Sequence, residues 1–177
     1  MTLALWFLTL FQHPGAGASE GTKGEGAMVQ EFTLRPAQPA DFAFCGRTYF
    51  AGMGSITETL KLDMSRQHES FRQRWQLPEV RIITIGGNDV GWLQTTAAND
   101  AIFLAQLCLD RRFQRQGIGS RVMRAVIDAA AQEGKAVTLG VVKINPARRL
   151  YERLGFRVTH EDHSKFYMRR EPERASA

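Results

Sequence analysis

Residues 102–120, IFLAQLCLDRRFQRQGIGS, join an apolar run to a glycine-containing turn. The run at 102–109 is apolar on both faces, which predicts a strand at the centre of a sheet that is covered on each side. An amphipathic helix is predicted to begin at the turn that holds Gly117 and Gly119. Glycine lets a ligand approach the backbone closely, and the free N–H groups at a helix N-terminus attract anions. The stretch therefore predicts a site for a ligand that carries phosphates.

A second informative block, residues 145–156 (NPARRLYERLGF), lies one predicted strand further along the chain. Asn145 is suited to cap a helix, Pro146 to open it and Gly155 to end it. Tyr151 leaves this helix at a different angle from the apolar side chains that anchor it. The block therefore predicts a short helix with one phenol that is free for chemistry.

Together the two blocks resemble the GNAT superfamily of N-acetyltransferases, which transfer an acetyl group from acetyl coenzyme A (acetyl-CoA) to an amine. The resemblance covers residues 31–170 and is sharp over 102–156. In this family a loop of the form Gln/Arg-x-x-Gly-x-Gly/Ala holds the coenzyme diphosphate, and Gln114, Gly117 and Gly119 fit that form. The implied fold is α/β (α+β mixed): a central mixed, mostly antiparallel sheet with a splayed parallel strand pair, flanked by helices on both faces.

The resemblance also implies roles for individual residues. Asn145 would bind the pantetheine arm, Tyr151 would protonate the departing thiolate, and the backbone at 107–109 would pair with pantetheine like an added strand. Arg111 and Arg115 occupy positions where relatives often have proline and glycine, respectively. Neither residue alters the Gln-x-x-Gly-x-Gly spacing of the loop. The implied coenzyme-binding residues are Leu107, Cys108, Leu109, Gln114, Arg115, Gln116, Gly117, Ile118, Gly119, Ser120, Asn145, Arg148 and Tyr151.

The general base is left open by the resemblance. Many family members carry a glutamate in the central strand, whereas this chain has Gln106, an amide that accepts no proton at neutral pH. Glu58 is the leading substitute as a catalytic residue, because it lies in the segment where family members often shape the acceptor pocket. His160, His163 and a chain of water molecules are the alternatives. The His-x-x-His spacing has no further Cys or His nearby, so no metal is expected.

Length, charge and cysteine content limit the classes of protein to which this chain can belong. The 177 residues suit one domain whose core needs no disulfide or metal. Cys45 and Cys108 are too few for a secreted disulfide framework, and Cys108 is expected to be a small buried thiol, so a reduced cytoplasmic compartment fits best. The net charge is +5, but the basic residues occur as scattered pairs, which does not favour nucleic acid as a partner.

Residues 1–27 are treated separately. They begin with an apolar run at 3–11 (LALWFLTLF), which is too short to span a bilayer and is followed by a glycine-rich stretch. No Lys or Arg precedes the run, so a signal peptide or membrane contact is the less favoured alternative. We expect a disordered or non-native extension at 1–27, a single domain over 28–172 and a tail at 173–177.

The hydrophobic pattern predicts the remaining elements. A helix from Pro39 should run to about Phe50 and end at the turn-rich residues 51–55. A second helix should carry one stripe of side chains at helical spacing, in which His68 is a partly buried packing residue. That stripe is Met64, His68, Phe71 and Trp75. The predicted strands are 32–34, the hairpin 80–85 and 90–96, the central run at 102–109, the parallel strand 137–142 after a helix that ends at Gly134, and the hairpin 156–160 and 166–169.

The sequence thus favours an enzyme that transfers the acetyl group of acetyl-CoA, as co-substrate, directly to a primary amine of a small molecule or protein. It is expected to be a cytoplasmic monomer or homodimer with no metal, nucleic-acid or membrane partner. The alternative is a catalytically silent coenzyme A binding sensor or interaction module, which Gln106 keeps open.

Overall fold

The computed structural model describes residues 31–173, and its strands form one seven-stranded sheet in the order β1-β2-β3-β4-β5-β7-β6. The predictions for residues 1–27 and for 174–177 lie outside the described residues. The central place of β4 confirms what its two apolar faces predicted. The strands are β1 Phe32–Pro36, β2 Val80–Ile85, β3 Asn88–Ala97, β4 Ala101–Leu109, β5 Ala136–Val142, β6 Arg157–Glu161 and β7 Lys165–Arg170.

Helices cover both faces of the sheet, as the family resemblance implied. The helices are α1 Phe42–Thr59, α2 Met64–Arg74, α3 Ile118–Gln132 and α4 Arg148–Arg153. One core joins α1 and α2 to the face of β2 and β3 that carries Ile82 and Trp92. The other core joins α3 and α4 to the opposite face, through residues such as Leu93 and Ile102.

The first helix differs from its prediction. Residues 51–55 do not end α1, which continues to Thr59, so the boundary predicted near Phe50 is wrong. Each glycine in a helix costs about 1 kcal/mol relative to alanine. Burial of Ile56, which is 5% exposed, and packing of Met53 against the sheet offset that cost. Tertiary packing therefore overrides the local turn signal here.

The stripe predicted on α2 divides into two halves. Phe71 is buried and Trp75 packs against the same core, but Met64 is exposed. His68 is also exposed, which corrects the expectation of a partly buried residue. Its ring stacks on Phe50 with 4.0 Å between the ring centroids, so one ring face is covered while the side chain stays accessible to solvent.

The feature that positions the site is the separation of β4 from β5. The two strands pair in parallel only over Ala101 to Leu104 and Ala136 to Leu139 of the described chain. Beyond this point β5 pairs with β7, while β4 stays paired with β3. The register between β3 and β4 also shifts at Ala105, where a bulge bends β4. Residues 106–109 therefore have β3 on one side and an open edge on the other, which confirms the splayed pair.

Candidate functional site

A cavity of about 450 Å³ lies where β4 and β5 part. One wall comes from α1, another from the second half of β4, and a third from the loop before α3 together with the start of α4. The lining residues are Thr48, Tyr49, Ala51, Gly52, Met53, Ser55, Ile56, Gln106, Leu107, Cys108, Leu109, Arg111, Gln114, Gly119, Asn145, Pro146, Ala147, Leu150 and Tyr151. The two sequence blocks thus meet at one cavity, and α1 completes it.

The loop before α3 forms a cluster of free backbone amides. Gly117 caps the helix with a left-handed φ of 78°, and Arg115 also has a positive φ, of 61°. The first helical hydrogen bond is donated by the N–H of Arg121 to the Gly117 carbonyl, at 3.1 Å. The N–H groups of residues 118–120 therefore have no acceptor within the helix, and they lie at its positive end. The side chain of Ile118 is buried in the core, so this residue offers only its backbone to a ligand.

Side chains brace this loop from within. Gln114 Nε2 donates to the Leu109 carbonyl at 2.8 Å, and Gln116 Nε2 donates to the Arg112 carbonyl at 2.7 Å. Arg111 reaches across to α1, where its Nη2 donates to the Ala51 carbonyl at 3.1 Å. The loop shape is thus held on both sides of the amide cluster.

Asn145 shapes the turn that leads into α4. Its Oδ1 accepts the N–H of Ala147 at 2.9 Å, and its Nδ2 donates to no atom of the described residues. At the other end of α4, Gly155 adopts a φ of 85°. There Phe156 N–H bonds the Tyr151 carbonyl and Gly155 N–H bonds the Glu152 carbonyl, each at 3.1 Å, as in a Schellman motif. Both ends of the helix are therefore fixed around Tyr151.

Tyr151 is a buried phenol at the cavity. Its side chain is 9% exposed and packs edge to face on Phe156, with ring centroids 5.8 Å apart. Burial raises the pKa of Tyr151 to about 12. Its hydroxyl forms no hydrogen bond with the described residues. The phenol of Tyr151 is therefore protonated at neutral pH, and its O–H group is not used by the rest of the described chain.

The half-buried Cys108 corrects a prediction of full burial. It lies on the cavity wall because the edge of β4 beside it is open. Surrounding protein atoms nevertheless raise the pKa of its thiol to about 12. A thiolate is therefore strongly disfavoured at this wall.

Sequence analysis missed Tyr49, which lines the cavity from α1. Tyr49 is 7% exposed, and burial raises the pKa of its phenol. The signal for it was present, since Cys45, Tyr49, Gly52 and Ile56 follow one helical face. The helix boundary predicted near Phe50 concealed this face.

The side chains considered as a base, Glu58, His160 and His163, lie outside the cavity lining. The amide of Gln106, which cannot act as a base, does line it. Gln106 lines the cavity opposite Gln94 of β3. Glu58 is exposed on α1 and lies outside the lining. His160 stacks on Tyr167 in the hairpin of β6 and β7, with centroids 4.3 Å apart, and His163 is exposed in the turn of that hairpin.

Arg148, predicted to bind the coenzyme, is engaged within the protein. Its Nε lies 2.7 Å from Glu152 Oε1, and its guanidinium lies 4.1 Å from the centre of the Phe166 ring. Within residues 31–173, His, Cys, Asp and Glu side chains form no group of three or more that could hold a metal ion. No helix in that range is both long and apolar enough to cross a membrane.

The sequence also matches a known family. The model of the acetyltransferase (GNAT) family matches residues 54–156, which is more than half of the chain. This segment contains the open edge of β4, the amide cluster and Tyr151. A comparison with curated protein sequences found no match.

Solved structures share the fold at low sequence identity. A PaiA N-acetyltransferase from Thermoplasma acidophilum, solved in complex with coenzyme A, has a TM-score of 0.67 and 15% identity, over 80% of this chain and 99% of that one. Ard1 from Thermoplasma volcanium has a TM-score of 0.57 and 21% identity, over 79% and 97%. YncA from Salmonella typhimurium, solved with its cofactor acetyl-CoA, has a TM-score of 0.55 and 21% identity, over 83% and 97%.

Proposed function

The chain belongs to the acetyltransferase (GNAT) family and is an acyltransferase, and on that premise we propose that it transfers the acetyl group of acetyl-CoA to a primary amine by direct attack. The amine belongs to a small molecule or a protein, and Tyr151 is the general acid. One observation carries the proposal: the open edge of β4, the amide cluster before α3 and the phenol of Tyr151 meet at one cavity. The coenzyme A and acetyl-CoA bound to two similar structures support this choice of co-substrate.

The groups at the cavity complement the parts of the coenzyme. The N–H groups of residues 118–120 would hold the diphosphate at the positive end of α3. The amides of pantetheine would pair with the open edge at 107–109 as an added strand does. Asn145 Nδ2 would donate one further hydrogen bond to that arm. Each contact uses a donor or an acceptor that the fold leaves open.

The chemistry needs one proton to move from nitrogen to sulfur. The lone pair of the amine attacks the thioester carbonyl, the C–N bond forms and the C–S bond breaks. A backbone N–H of the open β4 edge would stabilise the developing oxyanion. Tyr151 would give its proton to the departing sulfur, and water would carry the proton lost by nitrogen back to the phenolate. Atoms and charge then balance as an N-acetyl product and a free thiol.

Burial makes Tyr151 a suitable acid for this leaving group. The thiol of Cys108, on the wall of the same cavity, has its pKa raised by burial to about 12. A thiolate released beside it would be destabilised in the same way. Burial also raises the pKa of Tyr151, and a proton passed from its phenol to the departing sulfur would remove the thiolate charge.

The Tyr151→Phe variant tests this role. Wild type and variant would be given acetyl-CoA and a panel of amines while thiol release is followed. General acid catalysis contributes about 100-fold or more, so we expect kcat to fall by about that factor. The Kd for coenzyme A should stay unchanged, because the ring and its packing on Phe156 remain. Equal turnover in the two proteins would remove Tyr151 from its assigned role.

A catalytically silent coenzyme A binding module is the second candidate. It is favoured by Gln106, which stands on the cavity wall where many relatives carry a carboxylate. Binding of coenzyme A without thiol release on any amine would support it. Amine-dependent thiol release would exclude it.

Several expectations stay predictions. These are the role of Glu58 as base, the cytoplasmic location, the absence of a nucleic-acid or membrane partner and the monomeric or homodimeric state. The exposed position of Glu58 outside the cavity gives its role no support.

A further inference from the structure

Tyr49 has an unused hydroxyl at the cavity. Its ring is held by aromatic neighbours, with centroids 5.1 Å from Phe50 and 5.2 Å from Phe71. The hydroxyl forms no hydrogen bond with the described residues. Tyr49 lines this cavity and also a smaller neighbouring pocket that includes Arg74 and Gln106. Buried tyrosine hydroxyls usually find a partner, so this one is available to a ligand.

The phenols of Tyr49 and Tyr151 approach the end of β4 from two different helices. Tyr49, Tyr151 and Cys108 line the same cavity, so both phenols lie near the open end of β4. The coenzyme arm is proposed to lie along this strand, and Tyr151 is proposed to face its sulfur. The hydroxyl of Tyr49, on α1, is thus available to the amine that accepts the acetyl group.

The charge of the cavity wall affects which protonation state of the amine is favoured inside the cavity. Arg111 lines the cavity, and the positive charge of Arg74 also acts on the phenol of Tyr49. Both phenols are neutral at pH 7, since an ordinary tyrosine pKa is already near 10. An ammonium ion entering this cavity would lose its hydration beside a like charge, which is unfavourable. An uncharged amine would instead find phenol oxygens that accept its N–H hydrogens.

We propose that Tyr49 is the acceptor-binding residue, and that its hydroxyl accepts a hydrogen bond from an amine that enters the cavity in its uncharged form. This inference rests on the proposed acetyl transfer. The substrate class is then a weakly basic amine, such as an α-amino group or an aryl amine, rather than a lysine side chain or a polyamine. At pH 7 roughly one α-amino group in ten is uncharged, against about one lysine side chain in 2,500.

The hydrogen bond to Tyr49 would orient the attack. With one N–H held by the phenol oxygen, the lone pair of the nitrogen can face the thioester carbonyl. After the C–N bond forms, the nitrogen gives its surplus proton to cavity water, and Tyr151 supplies the proton that the sulfur takes up. Tyr49 itself ends each cycle unchanged.

Two small amines test the proposal without knowledge of the natural acceptor. Hydroxylamine is mostly uncharged at neutral pH and methylamine is mostly protonated, and both are small enough for the cavity. Enzyme-dependent thiol release from acetyl-CoA would be measured from pH 7 to 9 for wild type, Tyr49→Phe and Tyr167→Phe. Tyr167 is the matched control, because its hydroxyl bonds Asp162 at 3.0 Å and lies outside the cavity.

We expect kcat/KM for hydroxylamine to fall about tenfold in Tyr49→Phe, which is the loss of one hydrogen bond. The Kd for coenzyme A should not change, and Tyr167→Phe should behave as wild type. For methylamine, kcat/KM of the wild type should rise about tenfold per pH unit, in step with the uncharged fraction.

Unchanged kcat/KM in Tyr49→Phe would overturn the role of Tyr49. A methylamine profile that levels off near pH 7 would overturn the selection of uncharged amines, because it would reveal a base in the enzyme. If the wild type bound coenzyme A but released no thiol with either amine, the proposed acetyl transfer itself would fail. The three failures are therefore distinguishable.

Discussion

Gly117 and Gly119 lie two positions apart and meet different constraints. A Cβ at Gly117 would have open space around it, but the backbone φ is 78°. Side chains in the left-handed region cost about 1 to 2 kcal/mol. A Cβ at Gly119 would make ordinary contacts with Leu109 Cδ1 at 3.7 Å and Leu150 Cδ2 at 3.8 Å, and this backbone is not left-handed.

We therefore expect Gly117→Ala to lower the free energy of unfolding by about 1 kcal/mol, whereas Gly119→Ala should leave it unchanged or raise it slightly. Urea denaturation of the two variants measures the difference. An equal loss of stability in both variants would contradict the argument that the left-handed backbone is what requires glycine at position 117.

Local patterns were sufficient to predict several residues that line the cavity or form the turn beside it, although their roles stay predictions. Gln114, Gly117 and Gly119 lie within six positions of one another, and Asn145 and Tyr151 within seven, so that each motif is visible as a short stretch. Tyr49 and Arg111 were not predicted as site residues. Their roles depend on the packing of α1 against β4, a contact between segments about 60 residues apart, which no local spacing reveals.

The end of β4 that carries the site depends on a close approach of β3. Gly91 faces Leu109 across the two strands. A Cβ at this glycine would overlap the carbonyl oxygen of Cys108 and lie 2.7 Å from Leu109 Cδ2. The absence of a side chain here lets β3 hold the β4 backbone whose other edge is open.

Gly91→Ala should lower the free energy of unfolding by about 1 to 3 kcal/mol, because a well-packed contact is overfilled. The affinity for coenzyme A should weaken as well, since the backbone of 108–109 must shift. Gly52→Ala in α1 is the control for the unfolding measurement alone, because a Cβ there meets nothing within 4 Å and should be neutral or stabilising, while Gly52 itself lines the cavity. Urea denaturation measures the free energy of unfolding, and calorimetry measures the Kd for coenzyme A. If Gly91→Ala had the wild-type values of both, the close approach of β3 and β4 would not be needed.

Most helices and strands were predicted correctly from the periodicity of their apolar residues. The hairpin of β2 and β3 turns at Gly86 and Gly87, whose φ values of 56° and 79° are those that the predicted turn requires. The parallel placement of β5 followed from the order strand, helix, strand. The end of α1 was missed because the burial of Ile56, a long-range effect, outweighs the glycines at 52 and 54.

Across the whole molecule, Arg35 links three parts of the fold. From β1 it bonds Asp41, just before α1, with Nη1 to Oδ2 at 2.8 Å. It also bonds Asp89, beside the turn between β2 and β3, with Nη2 to Oδ2 at 2.8 Å. The hydrogen bond from Arg35 is the main cause of a lowered pKa of Asp41.

A carboxyl whose pKa is lowered by folding stabilises the protein above its unfolded pKa, and this contribution is lost as the pH falls. We expect Asp41→Asn to be less stable than wild type by about 1 kcal/mol at pH 7. The difference should shrink between pH 5 and pH 2, where Asp41 of the wild type becomes protonated. Urea midpoints across this range measure it, with Glu171→Gln, an exposed partner of Arg169, as the control with little effect. A difference that stays constant down to pH 2 would contradict the assignment.

Coenzyme binding between the open β4 edge and the amide cluster before α3 is the premise of every functional step proposed for this chain. Titration of the full-length wild-type protein with coenzyme A in a calorimeter addresses this without any knowledge of the acceptor. We predict saturable binding of one coenzyme per chain. A folded protein that takes up neither coenzyme A nor acetyl-CoA would contradict the account.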